Sequence, residues 1–321
     1  MKRRVGNILV AAVVASFLMT TSAAWADCGS VPFYSPFIAV IDQSEQNEAT
    51  MIKFDPLSVS VFEPQQRGII LWNGEEEILL LSTDQRATRK SAVLEVIPLP
   101  AEPTVRLGSF QTFENAQRLM VEKRMWVFAH GNVSPDMAKV PEQAGKITFQ
   151  EKLGAHDLAV AQVLKTEGFV EFVQNYLRER YQTPDAPIRA EFLKIIQSYL
   201  DEGFKWFAFD VITLDGTTKS REPIEYRFSS SCVFYPLRIS TLEQGQTKVD
   251  LLVFSAKGVK STAALASKYL DQESPLSVSV ADVEGLEKGW KGFFPASPDL
   301  VMDQVKIEGE SPKLVADVTM K

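Results

Sequence analysis

The stretch "EPQQRGIILWNGEEEILLLST", residues 63 to 83, restricts the possible folds more than any other part of the chain. Ile69 to Trp72 and Ile78 to Leu81 are apolar at every position, and Asn73-Gly74 between them tolerates the positive φ of a chain reversal. Residues 66 to 82 therefore read as a β-hairpin. A strand with one wet face alternates apolar and polar side chains, whereas a strand that is apolar throughout has both faces covered. The hairpin is accordingly expected inside a sheet. A two-residue loop would set Trp72 opposite Glu75, and a four-residue loop through Glu76 would set Trp72 opposite Glu77 and Leu71 opposite Ile78. The second register matches the apolar runs better. Glu75 to Glu77 are expected to hold the turn in water and to discourage edge pairing.

Other segments carry the same strand signals of β-branched and apolar residues between turn formers. They are residues 58 to 62, 93 to 99, 158 to 164, 205 to 214, 224 to 230 and 248 to 256. Helical spacing marks residues 109 to 125, with Phe113, Ala116 and Met120 on one stripe. It is clearer over 166 to 181, through Phe169, Phe172, Val173, Tyr176 and Leu177. Over 185 to 203, Asp185 suits a cap, Pro187 the first turn and Gly203 the stop. The last two helices form an α-hairpin joined through "QTPDAP", and residues 261 to 272 read as one more helix. Strands, then helices, then strands without regular βαβ alternation predict an α+β fold, with antiparallel or mixed sheets packed against the α-hairpin and additional helices.

The first residues set the compartment. Met1-Lys2-Arg3-Arg4, an apolar stretch from Ile8 to Met19 and the small residues ending Ala24-Trp25-Ala26 form a secretory signal, with cleavage expected after Ala26. An uncleaved anchor is the alternative, but an apolar core of about a dozen residues falls short of the roughly 20 that a spanning helix needs. Lipidation is not expected, because Asp27 and Trp25 stand where an acylated cysteine would need a small residue and a leucine. Residues 27 to 321 then make one α+β domain or two closely packed subdomains, a β-rich 27–105 and an α+β 106–321. The chain has 34 basic and 41 acidic residues, and loss of Lys2, Arg3 and Arg4 deepens the deficit of positive charge. Such a surface repels phosphate backbones, so nucleic acid is not an expected partner. No later apolar run reaches membrane-spanning length. The two cysteines, Cys28 and Cys232, form an even pair in an oxidising compartment and are expected to join in a disulfide; two buried thiols are the alternative.

Several segments in order resemble an exported bacterial family catalogued as domain of unknown function 2330. They are "EPQQRGIILWNGEEEILLLST", "VIPLPAEPTV", "LGAHDLAVAQVLKTEGFVEFVQNYLRERY", "GFKWFAFDVI" and "SSSCVFYPLRIS". The resemblance spans roughly residues 28 to 255. A Trp usually precedes the "VIPLP" equivalent in that family, and Leu94 and Glu95 stand there in this chain. The resemblance implies export and carries over no catalytic residue.

Site chemistry is sparse. His130, in "VFAHGNVSPD", enters a loop, and His156 adjoins Asp157 at the start of a predicted strand. A His-Asp pair can bind a metal or act as a base, yet neighbours in a strand face opposite sides. Neither H-E-x-x-H nor paired C-x-x-C occurs, and no nucleophile elbow, P-loop or dinucleotide fingerprint is present, so no metal or cofactor is expected. The loop at 289 to 295 differs from its surroundings, with Trp290, Phe293 and Phe294 among Gly, Lys and Pro. It can present aromatic rings to a partner or tuck them over an open sheet edge. The functional expectation is an exported, non-enzymatic binding or scaffolding protein of the cell envelope, whose partner is an envelope protein or polysaccharide. The alternative is an extracytoplasmic hydrolase working through carboxylates, with or without a histidine.

Overall fold

The computed structural model describes residues 29–35, 55–130, 157–183, 185–262, 269–295 and 299–321, without the side chains of 126–130. The first elements are β1 (Ser30–Phe33), β2 (Val61–Trp72), β3 (Glu76–Ala87), β4 (Ser91–Leu99), β5 (Thr104–Leu107) and α1 (Phe110–His130). Then come β6 (Asp157–Gln162), α2 (Thr166–Tyr181), α3 (Ala190–Asp201), β7 (Trp206–Leu214), β8 (Lys219–Ser220), β9 (Ile224–Ser229) and β10 (Val233–Tyr235). The chain closes with β11 (Gln246–Ser255), β12 (Leu270–Gln272), β13 (Leu276–Val278), α4 (Val280–Leu286), β14 (Leu300–Glu310) and β15 (Val318–Met320).

The hairpin β2–β3 sits in the middle of the larger, nine-stranded sheet, whose order is β12-β14-β11-β2-β3-β9-β5, with β13 on β14 and β8 on β3. Its register sets Leu71 opposite Ile78 and Trp72 opposite Glu77, as a four-residue loop requires. Gly74 has φ 102, and the Asn73 side chain accepts from the Glu75 and Glu76 amides, so the turn residues do what their chemistry favours. The sheet is mixed, because β2 runs parallel to β11 and antiparallel to β3. A smaller sheet, β1-β4-β7-β6, is antiparallel throughout. Strands from both sides of residue 105 share each of these sheets. This is an α+β architecture.

Both faces of the large sheet are covered. On one, Ile69, Leu71, Ile78, Leu80 and Phe254 meet Ala116 and Leu119 of α1, Val283 and Leu286 of α4, and Trp290. On the other, Ile70, Leu79, Leu81 and Tyr226 belong to a core shared with the small sheet. The far face of the small sheet is covered by the α2–α3 hairpin: the Phe169 ring lies 5.9 Å from Phe207 and 5.8 Å from both Phe209 and Phe192.

Three local expectations fail for identifiable reasons. The helix expected from Asp185 starts at Ala190 with Arg189 as its cap. The Gln174 side chain of α2 holds the backbone of Ala186 by two hydrogen bonds of 2.7 Å, and Asp185 instead takes a 2.6 Å ion pair from Arg178. Within the span expected as a helix over 261–272, the residues 263–268 lie outside those described, and Leu270–Gln272 is a strand on β14. There the Gln272 side chain donates to Val259 O and Asp303, so tertiary pairing overrides the local pattern. Glu77 does not stay in water: it is fully buried, and its carboxylate accepts from the Phe234 amide at 2.7 Å.

The Phe169→Ala substitution is expected to destabilise the protein by about 3–5 kcal/mol, since it empties the contact between helix hairpin and small sheet. Urea denaturation of purified variant and parent measures it.

Candidate functional site

Residues opposite each other across a β-ladder share a face. On β4, Glu95 stands opposite Ser30 of β1 and opposite Asp210 of β7. A row of three polar side chains thus crosses the small sheet, and all three are buried. Two carboxylates directly opposite one another destabilise a ladder unless something offsets them. The offset comes from the large sheet. Arg221, which follows β8 and donates its amide to Thr83 O at 2.8 Å, reaches Asp210 Oδ2 with Nη2 at 3.0 Å. Gln85 of β3 donates Nε2 to Glu63 Oε1 at 2.7 Å and to Glu95 Oε1 at 3.3 Å, so one amide bridges carboxylates of the two sheets. Glu63 Oε2 also accepts from Gln66 at 2.7 Å and from the Ser240 hydroxyl at 3.2 Å. The Tyr235 hydroxyl donates to Gln66 Oε1.

This polar seam lies in a largely apolar core. Burial, first of all, and then the facing Glu63 push the Glu95 carboxyl up to about 8, with Asp210 adding to the rise while Arg221 and the Gln85 hydrogen bond oppose it. Burial likewise drives the Tyr226 and Tyr235 phenols well above their ordinary range. Two crevices flank Glu95. One, of about 20 Å³, runs between Glu63, Gln66, Tyr235 and Ser240; the other, of about 10 Å³, runs between Thr83, Asp210, Arg221 and Tyr226. Each has room for about one water molecule. The Tyr226 hydroxyl and Gln85 Oε1 are buried with no hydrogen-bond partner.

A second polar knot lies on the other face of the large sheet. Trp290 Nε1 donates to Glu225 Oε2 at 2.8 Å, and Arg106 of β5 grips the same carboxylate with Nε at 2.5 Å and Nη2 at 2.6 Å. Asn73 Nδ2 donates to Phe293 O at 3.2 Å, tying the hairpin turn to the 289–295 loop. The loop does not present its rings to solvent. Trp290, Phe293 and Phe294 are 1%, 5% and 5% exposed and fill the space between sheet and α4, with Phe293 and Phe294 in edge contact at 5.1 Å.

Most of the remaining expected site residues fall outside what the structure describes. His130 ends α1 with its side chain outside those described, and His156 and Cys28 lie outside the described residues. Cys232 is half-buried just before β10, where burial pushes its thiol up. Among the described residues, no group of three or more His, Cys, Asp or Glu side chains is placed to hold a metal ion, and no helix is long and apolar enough to cross a membrane. Of the seam residues Glu63, Glu95, Asp210 and Arg221, the sequence draws notice only to Glu95, as a departure from the family's pattern, and marks none as a site residue. The available signal was a lone acid inside an apolar run, "AVLEVIPL" and "FAFDVITL", which only the β4–β7 register turns into a cluster.

A family model described as "Uncharacterized protein conserved in bacteria (DUF2330)" matches residues 56–296, which contain the hairpin, both polar knots and the helix pair. The chain belongs to this family. No curated protein matches it. Among solved structures it is similar to one titled crystal structure of baculovirus P35, with 8% sequence identity, a TM-score of 0.38, and coverage of 83% of this chain and 98% of that one.

Within this DUF2330 chain, Arg221 is the guanidinium that holds Asp210 in the seam. Arg221→Met leaves that carboxylate beside Glu95 without its cation, and a loss of about 3–5 kcal/mol is expected. Denaturant titration against an exposed control such as Arg178→Met, whose ion pair lies at the surface, measures the difference.

Proposed function

We propose that this protein is an exported binding or scaffolding protein of the bacterial cell envelope and not an enzyme. The observation that carries the reading is the placement of its perturbed carboxylate. Glu95 and its neighbours are enclosed between two sheets, beside crevices with room for about one water each. The groups there hydrogen-bond to one another, which joins the sheets and offers no bed for a substrate. The rings of the 289–295 loop are likewise used internally. Binding to an envelope protein or polysaccharide then falls to the outer surface.

Export is supported by the basic, apolar and small-residue order of residues 1 to 26. Among the described residues, the first strand begins at Ser30, shortly after the proposed cleavage point at Ala26. In that compartment Cys28 and Cys232 join. Such a link closes a loop of about 200 residues and stabilises by about 4–5 kcal/mol in the chain-entropy description. Fractionation of expressing bacteria, followed by mass spectrometry of the envelope fraction, is expected to find an N-terminus at Asp27 and a peptide pair linked through Cys28 and Cys232. A cytoplasmic chain starting at Met1, or two free thiols, would contradict the reading.

The second reading is a hydrolase, favoured by one observation: the raised Glu95 beside Glu63 has the pairing of a general acid with a carboxylate. Ester, peptide and glycoside panels with the purified protein are expected to show no turnover. Turnover that disappears in Glu95→Gln, His130→Ala or His156→Ala would replace the binding reading with the catalytic one.

A further inference from the structure

We propose that the seam between the two sheets is a proton-binding site: a proton held on Glu95, opposite Asp210 on β7 and facing Glu63 of β2, keeps the sheets closed, and its release lets them part.

Charge balance is the first argument. From the described elements packed around Glu95, the charged groups that face it are Glu63, Asp210 and Arg221, with Glu222 at the rim of the crevice it shares with Asp210. The phenols of Tyr226 and Tyr235 complete the wall. Ionising Glu95 would set three carboxylates against one guanidinium in a buried layer with room for about one water on each side. Low polarisability in such a space magnifies each repulsion. A metal ion is the other way to balance the charge, but the described side chains form no group placed to hold one. A proton needs only one oxygen and an acceptor.

The second argument is geometric. The Glu95 carboxyl is bridged to Glu63 through a single Gln85 amide, so the sheets are coupled through the group that would change charge. Gln85 Oε1 and the Tyr226 hydroxyl are buried oxygens without partners beside it. The water-sized crevices on both sides of Glu95 give the proton a way in and out. The raised affinity of Glu95 for its proton agrees with this placement.

The sign follows from linkage. Below the ordinary carboxylate range, Glu95 is protonated in both folded and unfolded chains. Between that range and about 8 the folded chain retains a proton that the unfolded chain has lost. The stability that Glu95 contributes therefore falls as pH rises through this window and levels off above it.

The test uses the mature protein and two substitutions. Infrared difference spectra between about pH 6 and about pH 9 are expected to show in the parent loss of a protonated-carboxyl band that Glu95→Gln lacks, with a urea midpoint that falls over the same interval. Hydrogen exchange in β4 and β7, corrected for intrinsic rates, is expected to rise in parallel. Glu95→Gln is expected to abolish the band change and flatten the urea profile. Glu63→Gln, which removes the facing charge, is expected to move the band's midpoint to lower pH, and it serves if Glu95→Gln does not fold. A parent without the band change overturns the proposal. So does pH-dependent opening that persists in Glu95→Gln, or a midpoint unmoved by Glu63→Gln.

Discussion

The central runs of strands β2 and β3 have no face that they can give to water. Ile69, Ile70, Leu71, Ile78, Leu79 and Leu80 are all buried, and they alternate between the two sides of the large sheet. Layers must therefore form on both sides, and the rest of the chain supplies them. Helices α1 and α4 and the Trp290 loop cover one side. The small sheet covers the other and needs a cover of its own, which is the α2–α3 hairpin. The layered arrangement follows from this single demand, because apolar surface left in water would cost about 25 cal/mol for each Å².

The inter-sheet layer is not uniformly apolar, and this distinguishes the protein from a plain sandwich. Placing Glu63, Glu95, Asp210 and Arg221 between sheets sacrifices stability that hydrophobic side chains of similar size would supply. In return, only one mutual placement of the sheets satisfies the Gln85 bridge and the Arg221–Asp210 pair. A slip along either ladder would strand a charge. The same cluster makes the contact sensitive to one proton, so specificity and responsiveness have a common origin. On the opposite face, Glu225 is gripped by Arg106 and Trp290.

Legibility varied with how local the deciding interaction is. Helix α2 runs over Thr166–Tyr181 as its spacing requires, because the apolar stripe lies within the segment, and Gln182 with positive φ follows its last residue. The hairpin register was readable because six apolar positions, Ile69 to Leu71 and Ile78 to Leu80, had to face one another. The start of α3 was not, since a glutamine on a neighbouring helix holds the preceding residues. Leu270–Gln272 carries a helical pattern and pairs as a strand because β14 offers an edge. Glu77 read as a surface charge, and the Phe234 amide that draws it inward belongs to a distant strand. The 289–295 aromatics stood out for their setting, and that setting hid where the rings point.

The sequence alone determined the α+β class, the central hairpin and the α-hairpin, because each rests on spacing or turn chemistry within a few tens of residues, and the order of its segments carried the resemblance to the family. The tertiary structure alone decided the polar seam. Glu95 and Asp210 are single acids in two apolar runs, and what makes them a site is the register of β4 against β7 and the arrival of Gln85 and Arg221 from another sheet. Such a site is defined by long-range pairing, and no local periodicity encodes which strands will meet.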